Sequence, residues 1–150
     1  MATRIKGGRK IMTGRITEGT YDGSENKIQL FDGRFDTAYK LISFKIAPVS
    51  PTLSQELVGK LTTEPNSNVT TWAWENVEEV AWAHWGADKY QDDYSNVRDD
   101  TMVVEDLYVS AYNETIDGAG VNYEIILEKM KIETWDAASI MVRNNSQSGP

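Results

Sequence analysis

No cysteine occurs among the 150 residues, and histidine occurs once, at His84. The first absence excludes disulfide frameworks, thiolate nucleophiles and Cys-ligated zinc together. The second leaves no His pair for a metal, and a single imidazole for any acid–base chemistry. Proline is sparse, at 4 residues. Pro48 and Pro51 stand where a strand should stop, because proline cannot donate to a ladder. No run approaches the ~18 consecutive apolar residues of a membrane span. The basic N-terminus has no apolar stretch behind it, so a secretory signal is not expected. The Asn-x-Ser/Thr matches at Asn68, Asn113 and Asn144 then read as chance.

Against these gaps stand 5 Trp, 7 Tyr and 3 Phe, enough aromatic volume for a packed core in one domain without metal or disulfides. Charge is unevenly placed. Arg4, Lys6, Arg9, Lys10 and Arg15 occur in the first fifteen residues with no acid. The remaining 10 bases face all 23 acids, a net −13 for the body within an overall −8. An acidic body argues against broad nucleic-acid binding, which needs Lys and Arg to neutralise phosphates. Residues 1–10, with Gly7 and Gly8, read as a flexible basic arm, and contact with nucleic acid is confined to that arm.

Period-2 alternation dominates the rest. Strands are expected over Lys10–Thr17, Lys27–Phe31, Tyr39–Ile46, Gln55–Thr62, Val69–Glu75, Glu79–Trp85, Met102–Tyr112 and the run from Val121 to Ile132. In Tyr39–Ile46, one face carries Lys40, Ile42, Phe44 and Ile46 and the other Tyr39, Leu41, Ser43 and Lys45. Asp-Gly punctuation at Asp22-Gly23 and Asp32-Gly33 supplies turns. The acidic stretch Asp88–Asp100 reads as a long surface loop. Thr134–Asn145 reads as a short helix, with Thr134 able to cap it, Asp136 near its positive end and Arg143 near its negative end. Trp135 and Met141 fall near the face that should pack. The expected fold is all-β and mainly antiparallel, a jelly-roll-like β-sandwich with that short C-terminal helix. One domain spans 11–145, between the arm and a tail at 146–150.

Each chemical candidate has a plainer reading. His84, between Trp82 and Trp85, lacks a second His or a triad and reads as structural. Asp92, Asp93, Asp99 and Asp100 offer oxygens for calcium but lack the Asp-x-Asp-x-Asp-Gly spacing, and read as a solvated loop. Glu78 and Glu128 could form a glycosidase pair only if the fold placed them ~5–10 Å apart. Trp72, Trp74, Trp82 and Trp85 form the densest aromatic cluster, either a sugar-stacking platform or a core and subunit interface. No catalytic residue, cofactor or metal site is expected, and the chain does not read as an enzyme.

The segments Asn122–Ile132, Trp135-Asp136-Ala137-Ala138 and Met141–Gln147 resemble the C-terminal end of small structural proteins of marine tailed bacteriophages. Phe31–Thr37 and Glu56–Thr62 are similar to the same group. The resemblance implies a virion location and a capsid, decoration or vertex component. Such a subunit would be a homo-oligomer that contacts other virion proteins and no membrane. Interface candidates are Trp72, Trp74, Trp82, Trp85, Trp135 and Met141, with arm contacts from Arg4, Lys6, Arg9 and Lys10. The alternative is a carbohydrate-binding β-sandwich module, receptor-binding and calcium-assisted through the acidic stretch. Exposure of the tryptophans separates the two: a flat open row favours sugar, and burial favours assembly.

Overall fold

The computed structural model describes residues 3–16, 24–30, 36–65, 71–86, 93–98, 101–116 and 119–132. They form β1 (Thr3–Ile16), β2 (Ser24–Ile28), β3 (Thr37–Pro48), β4 (Leu57–Thr62), β5 (Glu79–Trp85), β6 (Tyr94–Val97), β7 (Met102–Val103), β8 (Leu107–Asn113) and β9 (Val121–Lys131). Two antiparallel sheets result, ordered β1-β9-β3-β7 and β2-β8-β4-β5-β6.

The pairing has a simple logic. β1 pairs with β9, β2 with β8, β3 with β7 and β4 with β5. The chain is thus one long antiparallel hairpin folded at the connection from β4 to β5. Rolling that hairpin brings β9 against β3 and β8 against β4. This sets the two sheets face to face with apolar residues buried between them, which is the jelly-roll solution to an all-β chain. β6 extends the second sheet beyond β5.

The core lies between the sheets. Phe44, Leu41 and Ile46 of β3, Leu57 and Leu61 of β4, Val109 of β8 and Ile125 and Leu127 of β9 belong to one buried cluster. Gly59 sits where both β8 of its own sheet and β3 of the other come close. A Cβ there would lie 3.3 Å from the Ala111 Cβ, the Ile46 Cγ2 and the Ser110 carbonyl. A second small cluster joins Ala38, Val104 and Ile132.

A bulge corrects the strand faces expected for β3. Its register with β9 shifts between Leu41 and Ser43, leaving Ile42 as the extra residue. Before the bulge Tyr39 and Leu41 are core residues, and after it Phe44 and Ile46 are. An inserted residue reverses the parity of everything beyond it, so strict alternation could not assign both halves.

Other expectations also change. Residues 3–10, expected as a free basic arm, lie in β1, and Thr3, Arg4, Arg9 and Lys10 pair with β9. Backbone pairing with β9, rather than core periodicity, holds them there. Residues 71–75 are not a strand, while 66–70 lie outside the described residues. Tyr94–Val97, inside the expected acidic loop, is β6, because the open edge of β5 offers it a partner. Met102–Tyr112 divides into β7 in one sheet and β8 in the other. The expected helix at 134–145 and the tail at 146–150 lie outside the described residues, with Trp135 and Met141.

Two loops at one end of the sandwich are held by buried amides. Gln55 Nε2 donates to the Ser50 carbonyl at 2.6 Å, and Asn113 Nδ2 donates to Gln55 Oε1 at 2.6 Å. Asn113 Oδ1 accepts from the N–H groups of Thr115 and Ile116 at 3.0 and 2.8 Å. Every polar atom of that pair of side chains is thereby engaged with a loop, as burial demands.

The register predicts how far the N-terminus can be shortened. Pairing with β9 is continuous from Arg9 to Ile16 and broken between Arg4 and Arg9. Removal of residues 1–8 is expected to change thermal stability little. Removal of residues 1–12 strips part of the continuous ladder and the Met12 side chain that packs on the core, and should lower Tm by several degrees, at about 2–4 °C per kcal/mol. Equal melting curves for the two truncations, followed by circular dichroism, would contradict this assignment.

Candidate functional site

The tryptophan cluster is built around a buried ion pair. Alternation on β4 and β5 turns Leu57, Leu61, Ala81 and Ala83 into the core and sends Lys60 and Trp82 to the opposite face of the sheet. That face is covered by the chain preceding β5. Lys60 and Glu79 are each 1 % exposed, and Lys60 Nζ lies 3.2 Å from Glu79 Oε2. Lys60 Nζ also donates to the Thr71 carbonyl at 3.0 Å. Glu79 Oε1 accepts from the Ala73 N–H at 2.9 Å and from Trp82 Nε1 at 3.0 Å. The pair thus anchors residues 71–73 onto the sheet, and satisfied hydrogen bonds offset the cost of taking both charges out of water.

Aromatic rings are stacked over this anchor. Trp74 lies 5.9 Å from Trp82 between ring centroids and 6.4 Å from Tyr94, nearly parallel to the latter at 15°. Trp72 lies 5.6 Å from Tyr94. The Arg98 guanidinium sits 5.3 Å over the Trp82 ring and donates through Nη2 to the Trp74 carbonyl at 2.8 Å. Trp82 is buried, Trp72 and Trp85 are half-buried, and Trp74 is 56 % exposed. Trp72, Trp74 and Trp82 therefore form a layered cluster with one open indole, not a flat open row. Trp85 faces the other way, against the core.

A cavity of about 630 Å³ forms the second candidate. Its wall is three consecutive rungs of the first sheet. Thr13, Glu124 and Lys45 make one rung, Gly14, Tyr123 and Ile46 the next, and Arg15, Asn122 and Ala47 the third. Trp85 is contributed by the other sheet. Gly14 has a specific reason to be glycine: a Cβ there would fall 2.4 Å from the Tyr123 hydroxyl and 2.6 Å from its Cζ. The phenol ring therefore lies across the bare backbone of its cross-strand neighbour. Arg15 Nε donates to Asn122 Oδ1 at 3.1 Å. A smaller cavity of about 250 Å³ adjoins through Lys45, Ile46 and Trp85 and includes His84 and Tyr94.

The remaining sequence candidates separate. His84 Nε2 lies 2.9 Å from Glu56 Oε1, linking the end of β5 to the loop before β4. Glu78 stands in the turn before β5 and Glu128 on β9 of the other sheet, so the fold gives the two no common strand or sheet. Asp93 Oδ1 accepts the Gly86 N–H at 2.9 Å, while Asp92, Asp99 and Asp100 lie outside the described residues. Lys10 Nζ lies 5.8 Å over the Tyr39 ring, and Arg9 is exposed beside it on β1. Arg4 and Lys6 fall within β1 as backbone. Sequence reading missed the Lys60–Glu79 pair. Its signal was a lysine inside the apolar strand Leu57–Thr62 and a glutamate opening the apolar strand Glu79–Trp85.

Two electrostatic outcomes follow. Lys60→Met leaves the Glu79 carboxylate buried without its cation and should cost about 3–5 kcal/mol in urea denaturation. Adding Glu79→Gln to that variant should recover part of the loss, and strict additivity of the two substitutions would refute the coupling. Glu64 is the second case. Burial first, then the nearby charges of Glu105 and Glu78, raise its pKa above the usual carboxylate value. A raised folded-state pKa means the folded chain holds the proton longer than the unfolded one. Stability contributed by the protonated form is then lost as pH rises from the ordinary carboxylate pKa through the folded one. Glu64→Gln should accordingly raise Tm at pH 7, and the gain should shrink in acid; a lower Tm at pH 7 would count against this placement.

The sequence matches no protein-family model, and it matches no curated protein.

Proposed function

We propose that this chain is a non-enzymatic structural subunit of a phage virion, a capsid, decoration or vertex component that works through repeated contacts with copies of itself and with other virion proteins. The observation that carries the reading is the strand order, β1-β9-β3-β7 against β2-β8-β4-β5. This is the jelly-roll connectivity that recurs in viral capsid and lectin domains.

The surface adds support. Trp74, Val77 and Tyr94 are exposed large apolar side chains, and Trp74 is stacked on Tyr94 and tilted against Trp82. Aromatic side chains held in one geometry lose little entropy on contact and are enriched at protein interfaces. The layered packing of Trp72, Trp74 and Trp82 favours a contact with a neighbouring subunit over a stacking row for a glycan chain. A carbohydrate-binding module is the second reading, and the cavity beside Trp85 and Tyr123 is the observation that favours it.

Light scattering across a concentration series tests the assembly reading. The native chain is expected to exceed the monomer mass as concentration rises, and Trp74→Ser with Tyr94→Ser should shift the curve toward the monomer with Tm preserved. A monomer at every concentration, unaffected by these substitutions, would move the weight to a ligand-binding module.

A further inference from the structure

β1 is the outer strand of its sheet, and among the described residues no strand pairs with its far edge. Its ladder with β9 is continuous from Arg9 to Ile16. A strand bonded on one side turns the N–H and C=O of every second residue outward, a template for one more strand. Alternation puts Arg9, Ile11, Thr13 and Arg15 on the outer face of the sheet and Met12, Gly14 and Ile16 on the core side. The four outer residues are exposed. Ile11, at 61 %, is the most exposed large apolar side chain among the described residues. It stands between Arg9 and Lys10 on one side and Arg15 on the other.

We infer that the outer edge of β1 is a docking edge for an extended peptide segment of another protein, acidic at both ends and apolar between, which adds a strand to this sheet. Charge selects the ends of that segment. No acid occurs in the chain before Glu18, so the edge carries one sign of charge. The net charge of −8 is screened beyond about 8 Å at physiological ionic strength, and a segment at the edge meets Arg9, Lys10 and Arg15 first. Charge also disfavours a second copy of this chain on the same edge. Antiparallel pairing of β1 with β1 would set basic side chains against basic ones, which destabilises a ladder.

The core side of the edge selects the apolar centre. Gly14 has no side chain, and the cavity of about 630 Å³ beside it is walled by Ile46, Tyr123 and Trp85. A strand added to β1 points every second side chain to that side. The one beside Gly14 meets the Tyr123 ring, which lies over the bare backbone, and extends the apolar wall. On the outer face, its neighbours cover Ile11. Main-chain hydrogen bonds supply affinity, and the cavity and Ile11 choose the side chains. The inference goes beyond the assembly reading and does not rest on it, since the Trp74 patch belongs to the other sheet's exterior.

The test is fluorescence polarisation with the full chain and labelled synthetic peptides as long as the Arg9–Ile16 ladder. One set carries Asp or Glu at both ends and Val, Leu, Ile or Phe between; a matched set carries Lys in place of the acids. Saturable binding is expected for members of the acidic set, weakened by added salt, and not for the Lys set. N-methylation of alternate peptide residues should abolish binding in one phase of the alternation and spare it in the other, because only one phase bonds to β1. Ile11→Ser should weaken binding about three- to tenfold, and Arg9→Gln about two- to fivefold. Both side chains are exposed, so these variants test the edge even where Trp85→Ala fails to fold. Trp74→Ala should leave binding unchanged. The inference is overturned by no saturable binding in the acidic set, or by equal binding of the Lys set. Indifference to N-methylation in both phases would overturn it as well. So would binding lost in Trp74→Ala and kept in Ile11→Ser, which would put the peptide on the other sheet.

Discussion

Strand β9 is the member on which the sandwich depends. It lies between β1 and β3 and pairs with both along nearly its whole length. Among the described residues β1 has no other partner in its sheet, and β3 has otherwise only the short β7. Without β9 the four-stranded sheet would have no middle, and the apolar faces of β4, β5 and β8 would lose Val121, Ile125 and Leu127 from the layer they pack against. The same strand supplies Ile125 and Leu127 to the core and Asn122, Tyr123 and Glu124 to the cavity. Core and candidate site are thus consecutive segments of one ladder, and the rigidity that the first requires is inherited by the second.

The two sheets are specialised differently. In the first, Gly14 lets the Tyr123 ring lie across an edge strand and form part of a cavity wall. In the second, a buried lysine and glutamate are spent on the fold. Lys60 and Glu79 hold residues 71–73 on the outside of the sheet, and Trp74 is presented on top of that anchor. A buried ion pair contributes little net stability compared with apolar packing, but it penalises every arrangement in which one charge is left alone. Here it fixes the position of a connection that carries an exposed indole.

Much of the architecture was legible because burial follows alternation. The faces of β9 and β8 follow directly from Val121, Ile125 and Leu127 and from Leu107, Val109 and Ala111, all of them core residues. Alternation fails where the ladder is irregular. Ile42 is a bulge, and nothing in its own identity says so; the shift exists because β3 and β9 must meet in register at both ends. β6 is an exposed strand of polar residues, Ser95 and Asn96 among them, that exists because β5 and the Phe44 carbonyl on β3 give it partners. The basic N-terminal segment joins the sheet for the same reason, since backbone pairing needs a neighbour rather than an apolar side chain.

The sequence by itself determined the all-β class, the absence of cysteine chemistry, the uneven charge and the side chains that any core must use. Those properties are local: each depends on residue type and on spacing along the chain. Only the tertiary structure decided that Gly14 would lie beneath Tyr123, that Lys60 would find Glu79, and that Trp85 would meet Lys45 and Ile46 from across the sandwich. Each of these joins residues on different strands, and the partner of a strand is chosen by the closure of the whole roll. A single chain of letters carries the faces of its strands, while the neighbours of those faces come from folding.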